Sequence, residues 1–146
     1  MDRQLELYQQ VILEHNRKPR NFGKLDPASH AGEGFNPICG DHFWVYLQIG
    51  ENQIERMGFE GSGCAISKAS ASMMTEAVKG KSTEQALQIC SQFQSLIKGQ
   101  MEDPSSLGKL GVFSGVWKYP ARVKCAGLAW HALQGALQGE RCVSTE

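Results

Sequence analysis

Four stretches of the chain carry apolar residues at helical spacing, and each is followed by glycine or polar residues. Two of them have start signals, since residues 82–85 have the composition of a capping box and Pro120 suits the first turn of a helix. Residues 107–117 form a short apolar patch that fits neither a helical nor a strand pattern. The pattern predicts helices over residues 5–15, 65–79, 86–98 and 121–137.

Apolar and polar residues alternate over residues 43–49, which is typical of a strand with one buried face. A turn at Gly50-Glu51-Asn52 and a second apolar run over residues 54–59 complete an antiparallel hairpin. Before it, residues 21–37 are rich in glycine, proline and asparagine and predict a long connection. We expect an α+β fold in which a small antiparallel sheet of about three strands packs against several helices.

Length and charge narrow the class of protein. A chain of 146 residues with 41% hydrophobic content predicts a single domain over residues 1–146, with a flexible tail from about residue 139. Fifteen basic and fifteen acidic residues balance without long runs of either sign, which argues against nucleic acid or a membrane surface as partner. The sequence shows neither a signal peptide nor a membrane span, so we expect a cytoplasmic protein.

Five cysteines, an odd number, argue against a disulfide framework and favour thiol or metal chemistry. Three of them lie where predicted elements begin: Cys39 at the turn into the first hairpin strand, Cys64 in a glycine-rich loop that opens a helix, and Cys125 in the first turns of the last helix. Helix N-termini favour thiolates at Cys64 and Cys125. Asp41 lies on the same side of the chain as Cys39 and adds an oxygen donor.

Cys39, Asp41, Cys64 and Cys125 together offer the donors of a tetrahedral site for zinc, or for iron bound with sulfide. Arg122 and Lys124 precede the last ligand, Cys125, and are expected to offset the negative charge of the site. The remaining cysteines have simpler interpretations, with Cys90 in a helix core and Cys142 in a polar tail. The histidines are expected to lie outside the ligand set; they are His15, His30, His42 and His131.

Four segments give the chain a family resemblance. The stretches "NPICGD", "GSGCAIS" and "YPARVKCAGLAW", preceded by "ILEHNRKPRNFGKL", resemble the IscU proteins and the N-terminal part of NifU, which assemble iron–sulfur clusters. The likeness is greatest to the SufU branch, because Lys124 stands where scaffold-type members carry a histidine and the segment over residues 81–118 is long. The resemblance implies a SufE/NifU-like fold, a SufS-like cysteine desulfurase as partner and downstream iron–sulfur assembly proteins.

Three functions remain open from the sequence. The first is a zinc-binding, sulfurtransferase-like protein that accepts persulfide sulfur from the desulfurase, with Cys39 as the catalytic acceptor because it lies on a glycine-flanked turn. The second is a scaffold that holds iron or a nascent [2Fe-2S] cluster. The third is an interaction domain that zinc only stabilises. Metal content and labelled sulfur transfer distinguish the three.

Overall fold

A computed structural model describes residues 3–38, 40–101, 103–139 and 142–144. Helices and strands follow the predicted order, with one additional strand before the hairpin and one near the end of the chain. The elements are α1 (Arg3–Arg17), β1 (His30–Asn36), β2 (Asp41–Gly50), β3 (Gln53–Ser62), α2 (Ala65–Val78), α3 (Thr83–Ile97), a 3₁₀ segment (Pro104–Lys118), α4 (Pro120–Leu137) and β4 (Cys142–Ser144).

The sheet has the strand order β3-β2-β1-β4. Strands β1, β2 and β3 are antiparallel neighbours, which confirms the predicted small antiparallel sheet within an α+β fold. The short strand β4 pairs in parallel with β1 and lies in the segment for which the sequence predicts a tail. The sequence did not predict β1, which occupies the second half of the 21–37 connection.

Strand β1 escaped prediction because two of its inward positions are glycines. A Cβ atom at Gly32 would lie 2.1 Å from the backbone oxygen of Ala132, and one at Gly34 would lie 3.0 Å from that of Leu128. The strand therefore packs against the backbone of α4 at a distance that no larger residue allows. Burial alternates along β1 although apolar side chains do not.

The helices cover one face of the sheet and enclose the core. Ser82 caps α3 in a capping box with Gln85, as the sequence predicts. The apolar patch over residues 107–117 forms 3₁₀ turns with a kink at Gly108, where φ is +57°, and packs against α3 and α1. The largest fully buried side chains include Phe43, Phe59, Phe93, Phe113 and Trp130. Within the described residues, none of the helices has the length and apolar content that crossing a membrane requires.

Candidate metal centre

Three of the four predicted ligands meet at one end of the sheet. Asp41 is the first residue of β2, Cys64 is the N-cap of α2, and Cys125 lies in the second turn of α4. One carboxylate oxygen of Asp41 and the two Sγ atoms lie within 4.8 Å of one another. The fourth predicted ligand, Cys39, lies outside the described residues. Its two sequence neighbours, Ile38 and Gly40, are described, and Gly40 has a φ of +78°.

Asp41 is held in place by the start of α2. Its side chain is buried, and the backbone N–H of Cys64 donates to Oδ1 at 3.1 Å. The Ser67 hydroxyl donates to Oδ2 at 2.5 Å. Both carboxylate oxygens are therefore oriented by α2 before any ion binds.

Cys64 combines exposure with a polar anchor. Its Sγ accepts a hydrogen bond from the Ser67 backbone N–H at 3.4 Å and lies 3.3 Å from the Ser67 hydroxyl oxygen. Cys125, by contrast, is buried. The pair thus presents one sulfur towards solvent and one towards the protein interior.

The donor set fits a zinc-sized cation. Bonds of about 2.0–2.3 Å in a tetrahedral zinc site place its donor atoms roughly 3.5 Å apart. Donor atoms that already lie within 4.8 Å reach this spacing by small side-chain rotations. Two sulfurs and one carboxylate suit zinc and also suit iron with sulfide, because thiolates bind both.

The two predicted cations occupy different environments. Lys124 immediately precedes Cys125 on α4 and is half-buried. Arg122 is exposed, and its guanidinium carbon lies 4.4 Å from the centroid of the Tyr119 ring. Both lie in the first turns of α4, close in sequence to the ligand that this helix carries. Their role in offsetting the negative charge of the centre stays a prediction.

Other sulfur and imidazole groups lie elsewhere in the described residues. Cys90 is 1% exposed, and burial raises the pKa of its thiol to about 12, so it packs as a neutral core residue. His15 Nδ1 lies 2.7 Å from the Ser72 hydroxyl, and His42 pairs with Glu33 on the opposite face of the sheet from Asp41. The donor group within 4.8 Å contains no described histidine.

Sequence reasoning missed three polar residues at this end of the fold: Ser67, Tyr8 and Asn36. The serines of α2 looked like helix-packing residues, although Ser67 follows the "GSGC" motif by one helical turn. Tyr8 looked like part of the apolar face of α1, yet its Oη is buried and has no hydrogen-bond partner among the described residues. Burial raises the pKa of Tyr8; the positive charge of Arg122 opposes this rise, and the negative charges that Cys64 and Cys125 can carry add to it. Tyr8 therefore stays a neutral phenol beside the sulfurs.

Comparisons with known proteins identify one family. The family model described as the NifU-like N-terminal domain matches residues 7–126. The chain is 44% identical over 135 residues to a protein named zinc-dependent sulfurtransferase SufU from Bacillus subtilis (strain 168), an alignment that spans 92% of this chain and 91% of that protein.

A relative with a different name is almost as similar. The protein named iron–sulfur cluster assembly scaffold protein IscU from Streptococcus pyogenes serotype M1 is 42% identical over 134 residues, across 90% of this chain and 83% of that protein. The crystal structure of a protein described as an iron–sulfur cluster assembly scaffold for the SUF system (FiSufU), from Fervidobacterium islandicum AW-1, superposes with a TM-score of 0.84 at 35% identity. The match covers 90% of this chain and 97% of that one. Relatives named as a sulfurtransferase and as scaffolds are therefore similar to this chain to nearly the same degree.

Proposed function

This chain belongs to the NifU-like N-terminal domain family, and from that premise we propose that it is a zinc-holding acceptor of persulfide sulfur from a cysteine desulfurase. The observation that carries the proposal is the donor group itself. Asp41, Cys64 and Cys125 converge from three elements, and Lys124 occupies the position where scaffold-type relatives are expected to have a histidine. A protonated lysine has no lone pair to offer a metal.

Cys39 is the proposed acceptor, and the other three donors hold the site while it reacts. Asp41 is fixed by two hydrogen bonds, Cys64 by the N-terminus of α2, and Cys125 by its burial in α4. In the sequence, Cys39 falls between the last residue of β1 and the first residue of β2, directly before Gly40. We therefore assign the transfer to Cys39, because glycine-flanked connections between strands are more mobile than the elements that hold the other three donors.

The proposed transfer of sulfur balances in atoms and electrons. Zinc, when bound, keeps the thiolates deprotonated at neutral pH. The Cys39 thiolate attacks the outer sulfur of the desulfurase persulfide, and a new S–S bond forms on Cys39. The S–S bond to the desulfurase cysteine breaks, and its electron pair leaves on that cysteine as a thiolate. Because one S–S bond replaces another, the step consumes neither an oxidant nor a reductant.

The test is sulfur transfer from the cognate desulfurase with isotopically labelled cysteine, followed by mass-spectrometric mapping of the persulfide. We expect the label on Cys39 first. Cys39→Ser should abolish labelling, while Cys142→Ser, which changes a cysteine outside the three motifs, should leave it at the wild-type rate. Normal labelling of Cys39→Ser would refute the assignment.

A scaffold for a nascent [2Fe-2S] cluster is the second candidate. It is supported by the thiolate-rich donor group and by the 42% identity to the relative named as a scaffold. Purification without oxygen separates the two proposals. Tightly bound zinc in a colourless protein supports the sulfur acceptor, and a brown protein that contains iron and acid-labile sulfide supports the scaffold.

A further inference from the structure

Asn36 has a buried amide nitrogen that nothing in the described structure satisfies. It is the last residue of β1, its side chain is 0% exposed, and its Nδ2 has no hydrogen-bond partner among the described residues. Its Oδ1 accepts a hydrogen bond from the Ile38 backbone N–H at 3.1 Å. That bond fixes which end of the amide is oxygen, so the unsatisfied group is the donor.

An unpaired buried donor is uncommon in a folded protein. Leaving such a group unpaired costs about 1–3 kcal/mol, and native proteins keep few of them. Asn36 is opposite Asp41 in the β1–β2 register, so both side chains lie on the helix-covered face of the sheet. The donor is therefore next to one of the candidate ligands.

The packing of β1 on α4 indicates the other neighbour of Asn36. Gly32 lies against Ala132 and Ala136, and Gly34 lies against Leu128 and Ala132. Each step of two residues along β1 thus moves four residues back along α4. The next step places Asn36 over the helical turn that begins at residues 124–125, which carries Cys125.

We propose that Asn36 Nδ2 donates a hydrogen bond to a metal-bound thiolate of this centre and so acts as a positioning residue. The inference rests on the proposed function only in that the centre holds a metal. Sulfur is the assigned acceptor because Nδ2 makes no hydrogen bond to Asp41, although the two residues are opposite each other in the register. Two thiolates and a carboxylate, the described donors, leave a surplus of one negative charge on a divalent ion, and a neutral amide donor offsets part of it.

The test uses Asn36→Leu, which keeps the size of the side chain and removes both N–H donors, loaded with Zn²⁺ and with Co²⁺. We expect zinc affinity to fall about 10- to 100-fold in competition with a chelator. We also expect the sulfur-to-cobalt charge-transfer band to move to lower energy, because a thiolate without its hydrogen bond gives up an electron more easily.

Two further variants separate this role from a structural one. Asp103→Leu removes the same kind of turn bond, from the Ser105 N–H at 3.0 Å, at the start of the 3₁₀ segment, which supplies no donor to the centre; it should leave affinity and band unchanged. Asn36→Asp keeps an acceptor for Ile38 and serves if Asn36→Leu fails to fold; its band should also move to lower energy. Unchanged affinity and band energy in the folded variant would overturn the proposal.

These readouts need only the metal, so they do not depend on sulfur transfer. A wild-type protein that binds cobalt but accepts no sulfur refutes the proposed function and leaves the Asn36 result valid. A wild-type protein that accepts sulfur, with Asn36 variants identical to it in metal binding, refutes only the role of Asn36.

Discussion

Replacing Ser67 by alanine should weaken metal binding while leaving every ligand in place. The hydroxyl donates to Asp41 Oδ2 at 2.5 Å and lies 3.3 Å from Cys64 Sγ, so a single oxygen orients two candidate ligands. Ser67→Ala leaves the backbone N–H that reaches Cys64 intact. Asp41 then keeps only the hydrogen bond from the Cys64 N–H.

The size of the effect follows from the charge of the acceptor. A hydrogen bond to an ionised group contributes about 1.5–3 kcal/mol, roughly twice the value of a neutral one. Loss of a group that orients a metal ligand costs about 10- to 100-fold in affinity, which is about 1.4–2.7 kcal/mol. The two independent ranges overlap, so we expect the zinc dissociation constant of Ser67→Ala to rise by about that factor.

Ser70→Ala is the matched control on the same helix. Ser70 is equally buried, donates to the Ala126 carbonyl at 2.6 Å and accepts from Trp130 Nε1 at 3.0 Å. Both variants should lower the free energy of unfolding of the metal-free protein, measured by urea denaturation. Only Ser67→Ala should also lower zinc affinity, measured by chelator competition. Equal zinc affinity in the two variants would refute the reasoning.

Three other predictions concern charge, metal and pH. Lys124→Ala should keep bound zinc and change the rate of sulfur acceptance, because no ligand is lost. Lys124→His should add a donor and change the zinc-to-iron selectivity measured in a competition assay. Unchanged selectivity in Lys124→His would contradict the second expectation. Chelating the metal should lower the free energy of unfolding, because a bound ion would join β2, α2 and α4. Relative to protein with free zinc at 1,000 times the dissociation constant, the loss should be about 4 kcal/mol, which corresponds to a fall of roughly 8–16 °C in Tm. An unaltered Tm would argue against the site. Burial lowers the pKa of His15 and of His131 below the ordinary 6.5, so the unfolded state binds more protons than the folded state. The free energy of unfolding should therefore fall as the pH drops below about 6.5. His15→Gln should reduce that loss, and a pH profile identical to that of the wild type would contradict the prediction.

The elements that the sequence predicts are those whose signals are local. Helices α3 and α4 have start signals, a capping box and a first-turn proline, and the β2–β3 hairpin has regular alternation around a turn. Strand β1 has no such signal, since Gly32 and Gly34 occupy inward positions that apolar residues would otherwise mark. Their reason for being there, the approach of α4, exists only in the tertiary structure.

The residues of the candidate site likewise include some with a local sequence signal and some without one. Asp41, Cys64 and Cys125 are predictable because thiols and a carboxylate at the starts of elements are typical of metal and thiol chemistry. The roles of Ser67 and Asn36 depend on distances between segments that are remote in sequence. A serine in a helix and an asparagine before a proline are common for local reasons, so the sequence alone does not distinguish these two from ordinary ones.

The glycine-lined contact between β1 and α4 also affects the distance between two candidate ligands. Asp41 begins the strand beside β1, and Cys125 belongs to α4, so the thickness of this contact sets the spacing between an oxygen donor and a sulfur donor. A methyl group at Gly34 would lie 3.0 Å from the Leu128 backbone oxygen and press the helix outward. The spacing of these two donors therefore depends on two positions, Gly32 and Gly34, that have no side-chain donor atoms of their own.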